Sequence, residues 1–219
     1  MKLAPVIWLA VKRIRQYMAA FIWSLFYGTY LRLHPACLSI GRLRVTGRMK
    51  LDLDPFAHFH LGDGVRINSG ALINAIGGHR KTIIALHRGA RLAIGQGTGL
   101  SSCTIVCKSM IKIGEQVLVG GGTVIVDSDL HALASKDREL PREIAARSAP
   151  ISIGDRVFIG GGAMILKGVS VGADAVIGAG AIITRDIPSA EIWAGNPARC
   201  IGHVSTDAGA LRACAVSGP

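Results

Sequence analysis

The chain has 219 residues, half of them apolar and 18% charged, with a mean hydropathy of +0.41. That length buries roughly 70% of the surface an unfolded chain exposes, and the composition excludes both wholesale disorder and a mini-protein that depends on staples. The net charge of +11 is lopsided, with nine Lys/Arg and no Asp/Glu in residues 1–50 against sixteen Lys/Arg and fourteen Asp/Glu beyond. A nearly neutral body lacks the basic stripe of a nucleic-acid binder, so no nucleic-acid partner is expected.

The chain opens on an apolar stretch, residues 3–33, that reads as one helix through Ile7, Val11, Ile14, Met18, Phe21 and Leu25. Lys12, Arg13 and Arg15 interrupt it, and its longest charge-free run, Gln16 to Leu31, falls short of the ~20 apolar residues a membrane span needs. Arg32, Leu33, His34 and Pro35 are the wrong residues for signal cleavage. Seven of the eleven aromatics, Trp8 and Trp23 among them, lie here beside the cations. That combination suits a helix lying in the headgroup layer of an anionic leaflet, and the other reading is a helix that caps the body or packs in an oligomer. Residues 1–37 are expected to form an N-terminal amphipathic segment, and the first of these two readings puts residues 1–33 in peripheral contact with the inner face of the plasma membrane.

Residues 38–202 carry a period of six. Ile113, Val119, Ile125, Ile153, Ile159, Ile165, Val171, Ile177 and Ile183 recur at that spacing, usually followed by glycine and, four residues on, by a small or β-branched residue. No helix or ordinary strand has this period. A chain that turns by a third of a circle every six residues does, with aliphatics pointing into a narrow prism and glycine easing each corner. The fold class is thus an all-β solenoid whose coils stack at the strand spacing. Weaker hexads at Leu61, Ile67, Ile73 and at Ile94, Leu100, Val106 extend it upstream, with one-residue slips and an excursion at residues 77–88. Residues 203–219 form a C-terminal tail.

Five scattered cysteines without a C-x-x-C pair (Cys37, Cys103, Cys107, Cys200, Cys214) read as core thiols in a reducing cytoplasm, not as a disulfide framework. His58 and His60 alternate as on a strand, and His79 and His87 fall in the excursion. A zinc site would need three histidines on matching faces one coil apart; no such spacing is present, so no metal is expected.

The period stops at Asp127, Ser128, Asp129, Leu130, His131 and resumes at Ile151, so residues 131–150 are extruded from a corner as a loop. An imidazole is available as a base near neutral pH, and His131 at the loop's first position is the candidate functional residue. Asp129 or Asp127 would accept its other ring N–H and fix the tautomer.

The hexads resemble those of the hexapeptide-repeat acyltransferases. The stretch Asp127 to His131 and the runs Ala149–Asp155 and Ala194–Arg199 resemble the sugar O-acetyltransferase branch, which includes maltose, galactoside and colanic-acid type enzymes. The resemblance implies a left-handed parallel β-helix, a homotrimer, acetyl-CoA as donor, His131 as catalytic base and a sugar or glycan acceptor. It also implies donor contacts at Gly161, Ala179 and Thr184, with Arg185 and Arg199 at the nucleotide phosphates. The expected function is O-acetylation of a sugar hydroxyl in a surface-polysaccharide or lipid-linked precursor. The alternatives are N-acetylation of an amino sugar or antibiotic, and a non-catalytic binding solenoid.

Overall fold

The computed structural model describes residues 3–70, 79–139, 146–204 and 212–213, with the backbone alone at 3–7, 10 and 212–213. A single long helix, Leu3–Leu33, precedes the strands and has the bounds the sequence predicts.

The strands visit three parallel sheets in rotation. Cys37–Ile40, His58–Leu61, Arg91–Ile94, Met110–Ile113, Ile151–Ile153 and Ser170–Val171 make the first sheet. Leu43–Thr46, Val65–Asn68, Gly99–Ser101, Leu118–Val119, Phe158–Ile159 and Val176–Ile177 open the second. Lys50–Leu53, Ile83–Leu86, Thr104–Cys107, Val124–Val126, Met164–Ile165 and Ile182–Ile183 make the third. Every third strand returns to its own sheet one coil further on, with hexads in register: Ile125 pairs with Ile165 and Ile165 with Ile183. The second sheet continues through Glu191–Gly195, and Ala198–His203 returns antiparallel to it. The parallel coiling thus ends before residue 202.

The hexad aliphatics from Ile113 to Ile183 are all buried in one core cluster, together with the small residues four positions on, such as Val157, Ala163 and Ala181. Three expectations change. The excursion is shorter than residues 77–88, because Ile83–Leu86 is a strand of the third sheet; its apolar run reads equally as loop or strand when no hexad flanks it. Ile73 lies outside the described residues, and Val106 is half-buried while Ile105 and Cys107 point inward. The block from Leu100 to Ile105 is one residue short, which reverses the alternation. The glycine that follows the aliphatic has no left-handed φ; it is needed for close approach. A Cβ on Gly160 would lie 2.5 Å from the Ala179 nitrogen of the next coil.

The helix closes the first coil's open end. Ala20, Tyr27 and Leu31 are buried on one face. Ser24 Oγ accepts the Val45 N–H at 2.9 Å, and the Tyr27 hydroxyl accepts the Met49 N–H at 2.8 Å and donates to the Met49 carbonyl at 3.0 Å. Backbone groups with no strand to pair with are thereby satisfied.

Cys103 and Cys107 are buried free thiols, as expected. Cys200, however, is disulfide-bonded. Spacing along the chain does not reveal which sulfurs a terminal hairpin brings within reach.

Candidate active site

The edge between the third and first sheets carries the interruption. Immediately after Val124–Val126, Asp127 turns inward and is fully buried. Its two oxygens accept the backbone N–H groups of Lys108 and Ser109, each at 2.7 Å, from the preceding coil. Two charge-assisted bonds hold this carboxylate where an unpaired one would be costly. Cys107 Sγ lies 3.6 Å from the same carboxylate. Burial pushes the Cys107 thiol up to about 12, and the Asp127 charge adds to the shift. Burial likewise raises Cys103 to about 12, so neither supplies a thiolate nucleophile near neutral pH.

Past Asp127 the chain leaves the coil through a short antiparallel stem. Ala149 N–H donates to the Asp127 carbonyl at 2.9 Å, Asp129 N–H donates to the Arg147 carbonyl at 3.0 Å, and Ser128 bridges Ser148. Leu130 then takes a left-handed φ of 62°, its N–H donating to Ser128 Oγ at 3.1 Å. This kink delivers the next residue, His131, to the exposed surface at the start of the loop. Beyond it Ala132 is buried, and the Arg138 guanidinium donates to the carbonyls of Ala132 and Leu133, folding the first loop turn on itself.

Asp129 pairs with Lys167 of the next coil at 2.8 Å, and both side chains are largely shielded, at 17% and 30% exposure. The other Asp129 oxygen is buried and has no hydrogen-bond partner among the described residues. This unsatisfied buried acceptor lies two residues before the candidate base, and no hydrogen bond joins it to the His131 ring. The hexad pattern alone does not single out Lys167. Its signal was register: Asp127, Lys167 and Arg185 each stand two residues after the paired Ile125, Ile165 and Ile183.

A cavity of about 690 Å³ opens beside the stem, lined by Asp52, Asp54, His87, Arg88, Lys108 and Ser148 among others. His87, read as part of an excursion, is a corner residue of this edge.

Thr184 and Arg185 are exposed on the same edge two coils past the loop's exit. Gly161 and Ala179 stack one coil apart on the adjacent edge, across the third sheet; the Gly180 N–H donates to the Gly161 carbonyl at 2.9 Å. Arg199 is exposed on the terminal hairpin, bonded to its own Ala198 carbonyl at 2.9 Å. The five positions therefore occupy two edges and the terminal hairpin. For a metal, Glu191, Cys200 and His203 bring ligand atoms within 4.8 Å of one another, but the disulfide removes the thiolate and Glu191 already accepts the Trp193 indole N–H at 2.7 Å.

Parallel strands in threefold rotation, a hexad core and one extruded corner loop define a hexapeptide-repeat protein. The family model described as the hexapeptide repeat of succinyl-transferase matches residues 150–185. Galactoside O-acetyltransferase of Escherichia coli is 33% identical over 104 residues, 47% of this chain and 48% of that protein. Serine acetyltransferase 2 of Arabidopsis thaliana is 32% identical over 169 residues, 76% of this chain and 47% of that protein. The chain thus spans about half the length of these curated relatives. The crystal structure of an N-acyltransferase from Bacillus cereus, in complex with dTDP and 3-hydroxybutyryl-CoA, superposes with a TM-score of 0.62 at 16% identity, covering 78% of this chain and 85% of that one. Residues 150–185 thus carry the hexapeptide repeat, and the curated relatives this chain resembles are acetyltransferases.

Proposed function

We propose that the protein is an O-acetyltransferase that moves acetyl from acetyl-CoA to a sugar hydroxyl of a surface-polysaccharide or lipid-linked glycan precursor. The observation that carries this reading is the placement of His131: an exposed imidazole directly after a stitched stem, where an otherwise regular coil is broken open. The similarity to galactoside O-acetyltransferase over about half the chain supports a hydroxyl acceptor.

In the reaction, one His131 ring nitrogen takes the proton of the sugar hydroxyl as its oxygen attacks the thioester carbonyl carbon. The tetrahedral adduct collapses, the carbon–sulfur bond breaks, and the departing CoA thiolate receives that proton from the imidazolium. Lys167 holds the Asp129 carboxylate in place, and the Asp129 oxygen left without a partner is assigned the role of accepting the other ring N–H once the imidazole turns toward it in the reaction. Asp127 acts at one remove by fixing the stem. Gly161 and Ala179 let the pantetheine arm approach backbone, Thr184 lies along it, and Arg185 and Arg199 meet the phosphates. The coil is left-handed and the protein works as a cytoplasmic homotrimer, in which a second copy walls off the thioester from water. Residues 1–33 make its peripheral contact with the membrane.

The test is product analysis by mass spectrometry after incubation with acetyl-CoA and matched neutral and amino sugars. Ester products on neutral sugars support the proposal. Amide products alone would convert it to N-acetylation, and no CoA release with any acceptor would leave a binding solenoid.

A further inference from the structure

The N-terminal helix has two unlike faces. One seals the coil through Ala20, Ser24, Tyr27 and Leu31. On the other, Val11, Ile14, Met18, Phe21, Ile22 and Leu25 recur at spacings of three and four residues and remain between 49% and 66% exposed. An apolar stripe this long, turned directly away from the body, is unfinished on its own.

One flank of the stripe borders a groove of about 640 Å³ between the helix and the first coils. Lys12 and Arg15 of the helix converge there with Arg48 and Lys81 of the body, and Trp8 and Trp23 supply its apolar walls. The Lys12 ammonium sits 5.1 Å from the Trp8 ring centre and the Arg48 guanidinium 6.0 Å from that of Trp23. No carboxylate lines the groove, and none of the four cations has an ion-pair partner among the described residues. Cations drawn together over aromatic faces without an acid suit a phosphate whose attached chains are apolar.

Two occupants could cover the stripe. A second copy would bring a second set of cations into the same patch, with no acid anywhere in residues 1–50 to offset them. An anionic bilayer supplies the opposite charge and the apolar layer together. No helix among the described residues is long and apolar enough to cross a membrane, so this one would lie along the surface.

We propose that the outward face of the helix inserts into the interfacial layer of an anionic phospholipid bilayer and that the groove at Lys12, Arg15, Arg48 and Lys81 binds a phospholipid phosphate. The coils then stand with their N-terminal end on the membrane and the His131 edge rising from it. This deepens the peripheral contact proposed above and does not depend on the acyl chemistry.

The test is flotation of the full chain with vesicles of phosphatidylcholine alone or equimolar with phosphatidylglycerol, with acetyl-CoA turnover on a soluble acceptor measured in the same samples. Wild type is expected to float with the anionic vesicles and release them at high salt. Arg15→Gln with Arg48→Gln is expected to weaken binding about fivefold per cation removed. Met18→Glu with Phe21→Glu, both at exposed positions, is expected to abolish it, while turnover persists in every variant. Equal binding to neutral vesicles, or no response to the paired glutamines, would overturn the phosphate site. Absence of flotation would overturn the bilayer, and a self-association lost in Met18→Glu/Phe21→Glu would then assign the stripe to a second copy. Failure of turnover in wild type alone would count against the acetyltransferase and leave the membrane result standing.

Discussion

Two edges of the same stack are built from the same hexads and serve opposite ends. The edge between the first and second sheets turns tightly in every coil. Gly64, Gly97, Gln116, Arg156 and Asp174 repeat a left-handed φ between 54° and 71° at equivalent corners. Acids of one coil tie down the preceding coil, as Asp63 does for Arg42 and Asp155 for the Glu115 N–H. The edge between the third and first sheets is irregular: it exposes His87, Arg88 and Arg185, ties Lys167 to Asp129, and releases the loop that carries His131. Closed corners pair polar groups with the preceding coil, whereas the open edge leaves His87, Arg88 and Arg185 exposed. Regularity supplies stability, and departure from it marks where chemistry can be placed.

Breaking this contrast should show most at the open edge. His131→Ala should lower acetyl transfer about 10²- to 10⁴-fold with an unchanged melting temperature, since an exposed base contributes to turnover and not to packing. Ile165→Ala, inside the stack, should do the reverse. It should cost about 2–5 kcal/mol in urea melts, while the remaining folded fraction keeps its KM.

Gly160→Ala tests close approach between coils. With the added carbon 2.5 Å from backbone, a loss of about 1–3 kcal/mol is expected in the same melts, even though φ there suits alanine. Asp127→Asn replaces one acceptor oxygen by a donor that faces a backbone N–H; a loss of about 1–3 kcal/mol with a parallel fall in kcat is expected, because the stem is hung from that carboxylate.

The smallest effect belongs to the closed edge. Arg42's side-chain hydrogen bonds hold the Asp63 carboxyl down to about 2. A carboxylate depressed in the folded state contributes above its ordinary pKa of about 3.9 and loses that contribution as pH falls toward about 2. Because the pair is solvent-exposed, Asp63→Asn should flatten the acid limb of a stability–pH curve only slightly, and added salt should erase the difference.

Much of this molecule is legible in its sequence because steric demands repeat. The helix over residues 3–33, the aliphatics from Ile113 to Ile183 and the exit of the chain at His131 follow from periodicity and its interruption. What escaped were relations across coils. Asp127 reads as a partner for histidine, yet its burial depends on register with Cys107, and the one-residue slip before Ile105 hides that register. Lys167 lies one coil beyond Asp127, separated from it by the whole loop, so proximity in space left no mark in spacing. The capping roles of Ser24 and Tyr27 are equally silent, because a helical stripe does not state which backbone groups it will satisfy.

The central claim is that His131 stands beside the bound thioester. Titrating CoA into the protein while following the histidine ring resonances by NMR, with His131→Ala supplying the assignment, tests it most directly. The account predicts that the His131 signals shift in step with CoA binding while those of His58 and His60 stay still. Saturable CoA binding that leaves the His131 ring unperturbed would contradict it.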